Sequence, residues 1–159
     1  MKNIEIKANI KIYSIAEADS LRKTLIDAAQ EATRSAYAPY SKFQVGCAVL
    51  LENGEIIKGT NQENAAYTNG LCAERTALFY ANSTYPDVAV KMIAISAYTN
   101  GDFTEDICSP CGSCRQVLIE VENRYANQVI VIMTSKSLAY EVESSKDLMP
   151  LSFGADKLG

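Results

Sequence analysis

Near the start of the chain, apolar residues alternate with polar ones. Ile4, Ile6, Ala8, Ile10 and Ile12 occupy every second position, the period of a strand or of an extended arm with one apolar side. The period then lengthens. Leu21, Leu25, Ala28 and Ala32 recur at helical spacing, and Ser14-Ile-Ala-Glu17 has the form of a capping box, so a helix is predicted from there to about Ala36. Pro39, in Tyr37-Ala-Pro-Tyr40, breaks it. Two apolar runs follow at 43–51 and 55–59, joined at Asn53-Gly54, a pair suited to a tight hairpin turn. The pattern continues with a helix from Cys72 to about Ala81, a buried strand at 91–97, a helix opening near Cys111 and an apolar strand at 128–134. A short strand and helix close the chain.

Helix, hairpin, then helix and strand twice is an α/β order. It predicts a three-layer α-β-α sandwich: a mixed central sheet of roughly five strands with helices on both faces. No internal repeat or long linker interrupts residues 19–159, which read as one domain. Residues 1–18 read as an N-terminal extension to which the sequence assigns no role.

Composition acts mainly by exclusion. A length of 159 residues fits one domain with a proper core. Net charge is −4 with no basic stripe, which argues against a nucleic-acid polymer or an anionic membrane as partner. No apolar run approaches the roughly 20 residues of a membrane span. The first residues lack the apolar core and small-residue cleavage site of a signal peptide, so the expected setting is the cytoplasm. There the five cysteines read as thiols or metal ligands, not bridges.

Histidine is absent altogether, which narrows the choice of metal ligands. Cys111 and Cys114 stand one turn apart at a helix opening, so both sulfurs can point to one side, and Pro110 suits a first-turn position. Free amides at a helix start favour thiolate, the form that binds metal. Cys72 is the other cysteine in such a setting, and Glu74 follows it inside a stretch otherwise built for burial. Three thiolates, an open position for water and a carboxylate alongside make the layout of catalytic zinc, since structural zinc normally fills all four places with protein. Two other readings use the same residues. Cys108-x-x-Cys111-x-x-Cys114 has the opening spacing of an iron–sulfur run, although Leu118 stands where the next cysteine belongs. Alternatively, Cys47 or Cys108 could close a structural zinc site; otherwise both read as small buried hydrophobes.

Cys72-Ala-Glu74, followed by Pro110-Cys-Gly-Ser-Cys114, resembles the signature of zinc-dependent nucleoside and nucleobase deaminases. The segments "YAPYSKFQVG", "NQENAAY", "CAERTALF", "PCGSCRQV" and "LMPLSFG" extend the resemblance, in that order, to the cytidine deaminases across residues 28–153. Cysteine at position 72, where other branches place histidine, resembles the short homotetrameric form. The resemblance implies one Zn²⁺ per chain on Cys72, Cys111 and Cys114, with Glu74 as general acid and base. It implies that Arg75 hydrogen-bonds the ligand sulfurs and that Asn61 and Glu63 hold the ribose hydroxyls. Phe43 would pack on the pyrimidine ring and the backbone of Ala73 would contact the base. Tyr67 and Phe153 would reach a neighbouring subunit's pocket, giving shared active sites. The implied reaction is hydrolysis of cytidine and 2′-deoxycytidine to uridine and 2′-deoxyuridine with release of ammonia, a step of pyrimidine salvage. Deaminases of modified cytosine nucleosides share the zinc motif, and Asn61 with Glu63 argues against that variant. Cys47 departs from the family's usual small residue, and residues 1–18 are longer than the arm of many relatives.

Overall fold

In the computed structural model, which describes residues 1–158, alternate residues of the central strands face two different helical layers. The elements in chain order are β1 (Lys11–Ser14), α1 (Ser20–Ala32), β2 (Gln44–Leu51), β3 (Ile56–Thr60), α2 (Ala73–Thr84), β4 (Val90–Thr99), β5 (Asp102–Phe103), α3 (Gly112–Tyr125), β6 (Ile130–Thr134) and β7 (Leu138–Val142). The strands lie in the order β1-β7-β6-β4-β2-β3, with the short β5 paired to β4. Only β4 and β6 pair in parallel, which requires a crossover, and α3 lies within it. The five longer strands are those the hydrophobic pattern predicts. β1 and β5 raise the total to seven by adding short pairings at the margins.

On one face, Ala48, Leu50, Met92, Ala94 and Ile132 pack against Leu25, Ile26 and Ala29 of α1. On the other, Cys47, Val49, Ile93, Ile95 and Val131 pack against Ala73, Ala77 and Leu78 of α2 and Leu118 of α3. The strand period of two produces this division directly. Each large side chain buried in this way contributes about 1.5–3 kcal/mol.

Two elements differ from the sequence reading. The capping box at Ser14 and Glu17 forms, but it closes a 3-10 turn, Ile15–Glu17. Ala18 and Asp19 are then extended (ψ 141 and 168), so α1 begins separately at Ser20, with the Asp19 side chain accepting from the Arg22 amide. Arg22 also donates to both carboxylate oxygens of buried Glu141, at 2.6 and 2.8 Å, tying α1 to β7. The alternating N-terminal run becomes a strand only at Lys11–Ser14. Its register sets Lys11 opposite Glu141, and β7 ends one residue later at Val142, so residues upstream of Ile10 have no strand to pair with. Residues 1–10 are exposed, with Ile4 at 86%.

The site helix α2 sits unusually close to the sheet. A Cβ added at Gly59 of β3 would lie 2.5 Å from the Ala77 amide nitrogen and 2.6 Å from the Ala73 carbonyl. Only glycine permits that approach. Gly59→Ala is therefore expected to lift the first turns of α2, destabilise the fold by about 1–3 kcal/mol and pull Cys72 away from the start of α3. Thermal unfolding together with metal analysis should show a lower Tm and reduced zinc retention. An unchanged Tm with full zinc would contradict the close packing.

Candidate active site

Cys72 and Cys111 occupy equivalent positions, each the residue that caps the N-terminus of an inner helix. Cys72 precedes α2 (φ −73, ψ 154) and Cys111 precedes α3 (φ −66, ψ 168). Neither side chain caps its own helix, so both sulfurs are free for other work. Cys114 follows in the first turn of α3. The Sγ atoms of Cys72 and Cys111 are 3.7 Å apart, those of Cys111 and Cys114 3.5 Å, and all three lie within 4.8 Å of one another. A tetrahedral zinc with bonds of about 2.3 Å to sulfur sets neighbouring sulfurs about 3.8 Å apart. The three thiols are therefore spaced to hold a zinc ion.

Among the described residues, this trio is the one cluster of candidate metal ligands. Cys108 packs against the core, with its amide donating to the Thr134 carbonyl, and Cys47 is fully buried in β2. The iron–sulfur reading and the closed structural zinc site both need one of these sulfurs, and neither joins the cluster.

The electrostatics of the trio call for a cation. Hydrogen bonding from the Cys114 thiol, then from Arg75 and Cys111, outweighs burial and pulls the Cys72 thiol down to about 5. The Cys114 thiol moves upward, through that same bond to Cys72 and through burial. The Cys72 thiolate thus forms readily, and that of Cys114 needs positive charge beside it. Arg75 supplies part of it, its Nη2 lying 3.7 Å from the Cys72 sulfur. Its Nε is buried with no acceptor among the described residues.

Glu74 lies in the first turn of α2 and is 4% exposed. Burial raises its carboxyl pKa above the ordinary value against the pull of its own amide, and the Cys72 charge adds to the rise. The same carboxylate acts on the two spare thiols. Burial and then Glu74 raise the Cys47 thiol well above its usual value, and push the Cys108 thiol up to about 12. Both stay protonated and serve as apolar walls.

A cleft of about 550 Å³ opens beside this cluster, lined among others by Tyr40, Asn61, Glu63, Tyr67, Cys72 and Arg75. The structure thus brings five of the residues singled out in the sequence to one cavity. Phe43, Ala73, Glu74 and Phe153 do not line it. Asn61 clamps the start of β2, its Oδ1 accepting from the Val45 amide at 2.8 Å and its Nδ2 donating to the Phe43 carbonyl at 2.9 Å. Glu63 accepts from the amides of Tyr40 and Ser41 through Oε2 alone. The Ser41 hydroxyl and these amides hold its carboxyl below the ordinary range. Sequence reasoning missed the role of Tyr40 and Ser41. The available signal was the turn after Pro39, where Lys42 adopts φ 57.

The family described as the cytidine and deoxycytidylate deaminase zinc-binding region matches residues 19–133. The chain belongs to this deaminase family. It is similar to the cytidine deaminase of Sporosarcina psychrophila, at 40% identity over 134 residues that cover 84% of this chain and 92% of that protein. It is also similar to the cytidine deaminase of Halalkalibacterium halodurans, at 45% over 100 residues, covering 63% and 71% of the two chains. The crystal structure of cytidine deaminase from Burkholderia pseudomallei superposes with a TM-score of 0.69 at 38% identity, covering 82% of this chain and 98% of that one. The α/β fold is therefore that of the deaminase family. A zinc-binding deaminase family and a three-thiol cluster of the right dimensions together make Zn²⁺ the cofactor.

Proposed function

We propose that this deaminase hydrolyses cytidine and 2′-deoxycytidine to uridine and 2′-deoxyuridine, with Cys72, Cys111 and Cys114 holding Zn²⁺ and Glu74 moving the protons. The observation that carries this reading is the convergence of three sulfurs from two helix starts, with a buried glutamate two residues from one of them. Bound there, Zn²⁺ supplies the Lewis acidity that makes water nucleophilic near neutral pH. Glu74 takes a proton from the attacking water, delivers it to ring N3 and then assists the departing ammonia. A carboxyl whose pKa burial has raised suits both halves of that task. Three thiolates on a divalent cation leave a net negative charge. Arg75 and the N-termini of α2 and α3 offset it.

Asn61 and Glu63 hold the ribose hydroxyls in this reading. Glu63 keeps Oε1 for a hydroxyl, and Asn61 keeps the second hydrogen of Nδ2 while its first fixes the Phe43 carbonyl. Phe43 packs on the pyrimidine ring, and the backbone of Ala73 contacts the base. Phe153 is 57% exposed and lies outside this chain's own cleft, while Tyr67 lines that cleft yet is 82% exposed; in this reading both reach a neighbour's site in a homotetramer. The deaminase unit is residues 19–159, with 1–18 as an extension. Every cysteine is a free thiol, the usage of a reducing compartment, and we place the reaction in cytoplasmic pyrimidine salvage.

The test is ammonia release from cytidine and 2′-deoxycytidine by protein of measured zinc content, with light scattering on the same sample. Release in proportion to zinc by a tetramer is expected. A zinc-loaded assembly that releases none overturns the activity, and an active monomer overturns the shared sites.

A further inference from the structure

The loop between Leu148 and Phe153 is held at both ends by adjacent residues of α3. Arg115 donates through Nη1 to the Leu148 carbonyl at 3.0 Å and through Nε to the Pro110 carbonyl at 2.8 Å. Gln116 donates through Nε2 to the Phe153 carbonyl at 2.8 Å. The opening turns of one helix thus carry two of the three clustered sulfurs and both clamps. Between the clamps, Leu151 adopts φ 58, a left-handed conformation that leucine occupies only under constraint. Leu151 is 89% exposed and Phe153 57%, and Phe153 does not line this chain's own cleft. The clamps therefore hold two apolar side chains outward.

We propose that Arg115 and Gln116 are positioning residues that act in trans: they fix residues 148–153 so that Phe153 enters the cleft of a second copy. The inference rests on the shared-site reading of Phe153. It adds that the metal helix of one subunit sets the substrate pocket of its neighbour. Losing one side chain–backbone hydrogen bond lowers the equilibrium constant for the presented loop by about 2- to 10-fold, which sets the upper bound on the rise in KM. KM for cytidine rises within that bound in Gln116→Leu, while kcat, zinc content and Tm stay near those of the wild type. Arg115→Lys, which cannot span two carbonyls, gives the same pattern.

The deciding experiment co-expresses differently tagged Gln116→Leu chains with an excess of full-length Glu74→Gln chains and measures KM in the purified mixed assembly. Glu74→Gln subunits carry intact loops beside inactive sites. They are expected to return the KM of the neighbouring Gln116→Leu sites to the wild-type value. A mixture that keeps the raised KM overturns action in trans. Phe153→Ala serves as the reference. A raised KM there, with wild-type KM in both clamp variants, sinks the positioning role alone; a wild-type KM in Phe153→Ala sinks the shared-site reading and this inference with it.

Discussion

Glu74→Gln is expected to lower cytidine turnover by about 10⁴-fold while zinc content stays at the wild-type level. The substitution preserves the size of a side chain that is 4% exposed, so it opens no cavity in the wall formed with Cys47 and Cys108. It also leaves the three sulfurs untouched, because Glu74 is not one of the clustered ligands. What disappears, in the proposed mechanism, is the group that accepts, carries and returns a proton. A general acid–base residue is typically worth about 10²–10⁴-fold, and one used at several steps of a cycle falls at the upper end. Stability should not suffer. Burial already disfavours the Glu74 carboxylate, and a neutral amide avoids that cost. Steady-state rates normalised to bound zinc, with a thermal melt alongside, make the check. Near-normal turnover at full zinc would show that Glu74 is a bystander.

Much of this site was legible because its parts are local. The hairpin needed only Asn53-Gly54 between two apolar runs. Gly54 takes φ 90 and the Asn53 side chain accepts from the Glu55 amide, as such a turn requires. The two ligand helices were expected to open at Cys72 and Cys111, and each begins one residue later with those cysteines as caps. Spacing alone put Cys111 and Cys114 on one side of a turn. The remainder depends on distant partners that no window of sequence contains. Whether Cys108 joins the metal cluster was open until the fold placed it against the core. Nothing marks Glu122 among the glutamates, yet it is buried, accepting from Val129, Ser144 and Ser145 on two later segments. The N-terminal alternation was plain, but its pairing stops at Lys11 opposite Glu141, near the end of β7. Arg115 and Gln116 read as ordinary polar helix residues until their carbonyl partners come into view.

Cys111→Ala is expected to abolish activity, zinc binding and part of the stability together, and this distinguishes it from Glu74→Gln. Cys111 supplies a sulfur 3.7 Å from that of Cys72 across the gap between the two helix starts. Without it, two thiols remain, half-buried Cys72 before α2 and buried Cys114 in α3, too few to hold the metal. A ligand bound only by the folded chain stabilises it by about 4 kcal/mol at 1,000 times its dissociation constant. For a domain of this size, that corresponds to a fall in Tm of roughly 8–16 °C when the metal is lost. Chelated wild-type protein should melt at a similarly reduced temperature, and added zinc should raise the wild-type Tm but not that of Cys111→Ala. Cys108→Ala is the control, since its sulfur lies outside the cluster, and it should keep both zinc and activity. Zinc retained with normal turnover in Cys111→Ala, or zinc lost in Cys108→Ala, would move the metal centre to a different set of sulfurs.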